Sequence, residues 1–224
     1  MCGRFTITAP IEDITVWYAI DKNPNINYKP IYNAAPMQRI PAIVRGNDGN
    51  RLGELRWGLV PSWAKDDKIG SKMINARAET ITEKPSFNRL LASKRCIIPA
   101  DGFYEWQQRN GSKQPYRILM KDESLFSFAG LYDTWRDQSG NKISTCTIIT
   151  TEPNSLMANI HNRMPVILPR ECESEWLDRG NTDVSSLLEL LRPYDADKMR
   201  AYPVSPAVGN VRNNSPELLK EIFS

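Results

Sequence analysis

The chain is poor in the residues that hold metals. It has one histidine, His161, and four cysteines, Cys2, Cys96, Cys146 and Cys172, which lie far apart and never fall as CxxC. That spacing argues against a zinc site, so no metal is expected. Cys96 and Cys146 sit in apolar, strand-like runs and read as small core residues. There is no stretch of about 18 apolar residues and no basic-then-apolar leader. These absences give no ground for a membrane span or a signal peptide and lead us to expect a cytoplasmic protein, whose reducing surroundings argue against disulfides. Nor does one charge dominate: 29 lysines and arginines face 26 aspartates and glutamates, for a net charge of +3. An anionic partner must therefore be met by a local basic patch. Internal repeats and low-complexity segments are also absent. What remains is 224 residues, 41% of them hydrophobic, enough for one sizeable core, and we read residues 1–224 as a single domain.

The chain opens Met1-Cys2-Gly3-Arg4-Phe5. An initiator methionine is normally removed when the next side chain is as small as cysteine, so the mature protein is expected to begin at Cys2. An N-terminal cysteine is a 1,2-aminothiol: a carbonyl condenses with the amine to an imine, and the thiol closes that imine to a thiazolidine. The α-amine, with a pKa of roughly 7.7–8.0, keeps a useful neutral fraction near neutrality, and a thiol near about 8.5 is lowered by adjacent positive charge. Arg4 is the candidate source of that charge. Taken alone, Cys2 reads as a residue at a frayed terminus.

Downstream, a strand over residues 4–8 leads into a helix with Pro10 in its first turn and Ile11, Ile14 and Tyr18 at helical spacing. A polar stretch over 23–31 precedes a hairpin of 40–44 and 52–55, turned by Gly46-Asn47-Asp48-Gly49-Asn50. A helix over 86–91 comes next, then a hairpin with Asn110-Gly111 at its tip and strands over 116–120, 125–135 and 143–151. Asn154 is placed to cap a helix running to about Ile160, ahead of a strand over 166–168. Two packing helices, 171–178 and 184–191, precede a tail over 203–212 with too many prolines to be helical.

Four stretches carry candidate chemistry. In the segment from Arg56 to Ala64, Trp57 and Trp63 are either core plugs or stacking surfaces for bases. The alternation Asn75-Ala76-Arg77-Ala78-Glu79 turns three polar side chains to one side of a strand, which is either a solvated face or the lining of a groove. Glu105 lies between Tyr104 and Trp106 after an Asp-Gly bend, a setting that raises a carboxyl pKa by desolvation and makes a proton donor or acceptor near neutrality. His161, beside Arg163 at a helix end, suits a proton shuttle, although a lone histidine is more often structural.

Seven motifs, in order and covering nearly the whole chain, then form a recognisable set. They are Met1 to Phe5, Tyr32-Asn33-Ala34-Ala35-Pro36, Trp57-Gly58-Leu59-Val60-Pro61, the segment Asn75 to Thr80, the segment Pro99 to Trp106, His161-Asn162-Arg163-Met164-Pro165 and Val208-Gly209-Asn210-Val211. Together they resemble the SRAP family, the SOS-response-associated peptidases or abasic-site-processing proteins. The resemblance implies that Cys2 crosslinks to the aldehyde of ring-opened abasic sites in single-stranded DNA, shielding them in the DNA damage response, with no cofactor. It places Asn75, Glu105 and His161 around the cysteine as further catalytic residues. Glu105 and His161 would move protons during ring opening, while Asn75 would position the amine or the product ring. By the same resemblance Arg4, Arg77 and Arg163 contact flanking phosphates, Pro36 and Trp63 wedge against neighbouring bases, and Trp106 stacks. Weak abasic-site lyase activity is expected as a side reaction when the thiol does not close the imine. Association with the nucleoid is expected when damaged DNA is bound.

Two other readings stay open. The same groups would serve a cysteine-type peptidase that removes the residue preceding Cys2, with DNA binding secondary. A non-catalytic single-stranded-DNA-binding module would need none of them to react. The expected architecture is α+β: a mostly antiparallel, curved or barrel-like sheet with peripheral helices and the N-terminus threaded into a surface groove.

Overall fold

The computed structural model describes residues 2–20, 26–109 and 111–222. Thirteen strands are assigned among them. They are β1 (Phe5–Ile7), β2 (Ile31–Ala34), β3 (Arg39–Gly46), β4 (Gly49–Trp57), β5 (Asn75–Arg77), β6 (Arg95–Ala100), β7 (Gly102–Arg109), β8 (Ser112–Met120), β9 (Phe126–Arg136), β10 (Lys142–Thr151), β11 (Met164–Pro165), β12 (Ile167–Leu168) and β13 (Met199–Pro203). Four helices accompany them: α1 (Ile11–Trp17), α2 (Pro85–Leu91), α3 (Glu173–Leu177) and α4 (Val184–Glu189).

The larger sheet closes on itself. Its path runs β10-β4-β3-β6-β9, and β9 pairs again with β10 through seven residue pairs from Lys142↔Arg136 to Ile148↔Gly130. Closure removes free edges from the ring, and β11, β12 and β5 attach as short extensions. Two pairings, β10 with β4 and β10 with β5, are parallel, whereas the others are antiparallel. The smaller sheet has the order β13-β8-β7-β1-β2 and contains the N-terminal strand. This is the α+β, mostly antiparallel and barrel-like architecture expected.

An aromatic cluster locks β1 to the barrel. Phe5, fully buried, meets Trp57 at 5.4 Å and Phe128 at 5.8 Å between ring centroids, both edge to face. Phe103, its ladder partner on β7, meets Phe128 at 6.0 Å. Burying one such ring contributes about 2–3 kcal/mol, so the strand that begins shortly after Cys2 is anchored from its first residue. A second, smaller cluster of Tyr104, Val204, Val208 and Leu218 packs the C-terminal segment near β7.

Several expectations are met with shifted ends. Pro10 stands before α1 as its N-cap residue, with Ile14 and Tyr18 buried. The hairpin of β3 and β4 turns between Gly46 and Gly49, and Cys96 and Cys146 are buried in β6 and β10. Residues 23–25 of the polar stretch and Asn110 of the second hairpin tip lie outside the described residues. Three expectations need correction. The helix from Asn154 to Ile160 is a single 3₁₀ turn, Met157–Asn159. Asn154 does cap it, its Oδ1 accepting from Met157 N–H at 2.9 Å, but the N–H groups of Ile160 and His161 both fold back onto the Met157 carbonyl and end the turn there. The alternation through Glu79 stops at Arg77, because residues 78–80 turn as a 3₁₀ segment. The proline-rich tail is extended only in part, since Pro206 starts a 3₁₀ turn, Pro206–Gly209, that buries Val208; proline's fixed φ suits the first position of a turn.

Candidate active site

Cys2 is held in place through the strand that begins three residues after it. Asp101, buried at the bend between β6 and β7, accepts from Thr6 Oγ1 at 2.5 Å, Thr8 Oγ1 at 2.7 Å, Ala9 N–H at 3.1 Å and the Thr8 N–H. One carboxylate thus staples four groups of the N-terminal segment, the kind of charge-assisted set that is stronger than neutral bonds. The ladder pairs Phe5 with Phe103, and Tyr104 N–H donates to Arg4 O at 3.0 Å. Continuing that register sets Gly3 opposite Glu105. Cys2 is fully buried, and burial pushes its thiol well above the ordinary value, with the charge of Glu105 pushing the same way. Arg4 does oppose this shift, but the expected cause is corrected: a backbone hydrogen bond lowers the thiol, not the guanidinium charge. Only the backbone of Arg4 hydrogen-bonds the sulfur, while its guanidinium donates to Asn33 Oδ1 at 3.2 Å, Val208 O at 2.7 Å and Gly209 O at 3.2 Å.

Asn33 explains two of the sequence motifs at once. Its Nδ2 donates to the carbonyls of Val208, Asn210 and Asn213 at 2.9–3.2 Å. The motif containing Asn33 therefore clamps the Val208-Gly209-Asn210 segment beside Arg4.

Glu105 is 2% exposed, and burial pushes its carboxyl up to about 7, with the Trp106 backbone hydrogen bond opposing. The desolvation inferred from its aromatic flanks is what the fold provides. His161 Nδ1 lies against the Arg163 backbone, 3.0 Å from its N–H and 3.3 Å from its carbonyl, which fixes the orientation of the ring. Burial lowers its pKa, so the ring tends to stay neutral. Glu105 and His161 line one open groove of about 570 Å³, together with Trp106, Gln108, Lys113 and Gly209. A carboxyl that titrates near neutrality and a neutral imidazole thus share one solvent-accessible space beside a buried thiol. Gln108 and Lys113 were not singled out from sequence, and Gly209 entered only as part of the last of the seven motifs; the hairpin that pairs Gln108 with Lys113 was legible, and its continuation of the groove was not.

The remaining candidates lie outside that lining. Asn75 begins β5, its Nδ2 donating to Ile148 O at 3.4 Å, while its Oδ1 is buried with no hydrogen-bond partner among the described residues. Arg77 is exposed. Arg163 is committed internally: it forms a two-pronged pair with Glu79 at 2.8 and 2.9 Å and donates to Thr150 O at 2.8 Å. That pair holds the Glu79 carboxyl below its ordinary range and ties the turn after β5 to the segment after His161. Of the two tryptophans, Trp57 is a core plug and Trp63 is 56% exposed. Pro36 is half-buried, next to Met37, an exposed residue with φ of +70°. Gly58 is required where it stands: its φ is +137°, and an added Cβ would come within 2.8 Å of Gly70 O. No group of three or more His, Cys, Asp or Glu side chains among the described residues is placed to hold a metal ion.

Comparison with known proteins gives one consistent answer. Abasic site processing protein YoqW of Bacillus subtilis is 57% identical over 98% of this chain and 99% of its own length. YoaM of the same organism, also named an abasic site processing protein, is 58% identical over 98% of this chain and 97% of its own. Abasic site processing protein HMCES of Gallus gallus is 37% identical over 87% of this chain and 67% of its own. A crystal structure of a protein from Bacteroides thetaiotaomicron superposes with a TM-score of 0.86 at 32% identity, covering 99% of this chain and all of the other. The family model described as SOS response associated peptidase (SRAP) matches residues 1–211, and the chain belongs to that family.

Proposed function

We propose that this protein processes abasic sites in DNA, and that it does so by covalent capture on single strands through Cys2 once the preceding residue is gone. The names of its relatives support the substrate. The observation that carries the chemistry is the placement of a buried N-terminal thiol beside a carboxyl raised to about 7. An abasic deoxyribose must open before it offers an aldehyde, which requires a proton delivered to the ring oxygen and another removed from the anomeric hydroxyl. Glu105, near half-ionised at neutrality, and neutral His161 can divide those tasks. The Cys2 amine then attacks C1′, and one water leaves to give the imine. In the last step the sulfur bonds to C1′, the C=N π bond is spent, and the thiol proton ends on nitrogen.

The raised thiol pKa favours this order. A sulfur that stays protonated does not compete as first nucleophile, and Glu105 can take its proton when the ring closes. Asn75 Oδ1, a buried acceptor without a partner among the described residues, suits an N–H of the amine or of the product ring. Where closure fails, the imine permits β-elimination and hence weak strand cleavage.

The test is the intact mass of the product formed with a single strand bearing one abasic site. The adduct is expected to weigh the sum of both partners less one water and to take up no hydrogen from borohydride. An adduct that gains two hydrogens is an unclosed imine and contradicts ring closure.

A second reading has one observation in its favour, the description of the family as peptidases. Removal of the residue before Cys2 would use the same thiol, with His161 or Glu105 as base. Cleavage of an unrelated peptide by the processed protein would favour a peptidase acting in trans.

A further inference from the structure

The groove containing Glu105 and His161 continues onto the β7–β8 hairpin, where Gln108 and Lys113 stand directly opposite each other in the ladder. Side chains so paired share one face, with Cβ atoms about 5 Å apart. Among the six lining residues Lys113 is the single lysine or arginine, and Glu105 is the single carboxyl. Lys113 is exposed and has no hydrogen bond or ion pair among the described residues. The arginines nearest the chemistry in sequence are differently placed: Arg4 and Arg163 spend their guanidiniums on internal acceptors, and Arg77 does not line this groove. A polyanion entering here would otherwise meet only the charge of Glu105. Gly209 supplies a bare stretch of wall, since an added Cβ there would meet nothing within 4 Å.

We propose that Lys113, with Gln108 beside it, holds a backbone phosphate of the damaged strand, so that this end of the groove seats a nucleotide flanking the lesion. The inference rests on the reading of the site as a captor of abasic DNA. The ammonium supplies the charge, and the Gln108 amide donates to a second oxygen of the same phosphate. The contact is independent of base identity, as a lesion sensor requires.

The experiment is equilibrium binding, across a salt series, to a single strand in which tetrahydrofuran replaces the abasic sugar, so that no aldehyde is present. For Lys113→Ala the slope of log K against log salt is expected to shrink by about 0.7, the value for one phosphate on a single strand. The same term predicts a loss of about fourfold in affinity near 0.15 M salt. Lys113→Arg should keep both, and Lys113→Glu should lose more than alanine. Gly209→Ile fills the groove without meeting a neighbour at Cβ and should weaken binding with the slope unchanged. Wild-type slope and affinity in Lys113→Ala, or full affinity in Gly209→Ile, would overturn the proposal. Because this probe cannot react, a Lys113-dependent slope with no covalent product on an aldehyde-bearing strand would retain the subsite and sink the capture chemistry.

Discussion

Glu105 is costly where it sits, and the cost should be visible as a function of pH. Its carboxyl is buried and raised to about 7 from an ordinary 4.5, so the folded protein holds a proton there that the unfolded chain has lost. Stability from this group is therefore full below about 4.5 and declines as pH rises toward about 7, by about 3 kcal/mol for a shift of this size. Glu105→Gln should abolish that slope in denaturant unfolding and slow adduct formation by about 100-fold, as loss of a general acid-base does. An unchanged pH profile of stability would place the proton elsewhere. The burial of Glu105 was readable, although not its source: alternation along β7 turns Tyr104 and Trp106 to the opposite face, so the fold around the carboxyl supplies the desolvation. The fates of Arg4 and Arg163 were not readable, since Val208 lies 204 residues from Arg4 and Glu79 lies 84 from Arg163. Partners so distant leave no trace in a local pattern.

Among the elements, the proposed capture chemistry leans most on β1, although it has three residues. A terminal residue reacts selectively only when its strand is fixed, and Asp101 does much of the fixing. Asp101→Asn keeps the shape but removes the charge that strengthens four hydrogen bonds, and we expect a loss of about 1–3 kcal/mol in global stability. Hydrogen exchange should quicken first at Thr8 and Ala9, and capture of abasic strands should slow with it. Unaltered protection at those two amides would show that Phe5 alone anchors the strand. Hairpins were the most legible elements, because the glycine and asparagine cluster between β3 and β4 dictates a turn by its own backbone preferences. The stretch after Asn154 was misread for the opposite reason. Its cap was correct, but the fold needs only one turn before β11 pairs with β10 at Thr150 and Thr151, and tertiary pairing outweighed the helical signal.

At the scale of the molecule, closure of the barrel depends on β10, which pairs with β4, β5, β9 and β11 along its length. The α+β class came from counting strands and turns, whereas the closed order did not, since one strand with four neighbours cannot be deduced from alternation. The fold then brings the start of β1, the middle of β7 and the segment before β11 to one region, so three separated motifs of ordinary appearance meet there. The central claim is that the N-terminal aminothiol captures the lesion. It is tested most directly by denaturing electrophoresis of the protein beginning at Cys2 with a single strand bearing one abasic site, beside Cys2→Ala, a form retaining Met1 and an intact strand. The account predicts one shifted band that survives denaturant, present in the first reaction and absent from all three controls. No band from a protein whose mass confirms Cys2 as its first residue, or an equal band from Cys2→Ala, would contradict it.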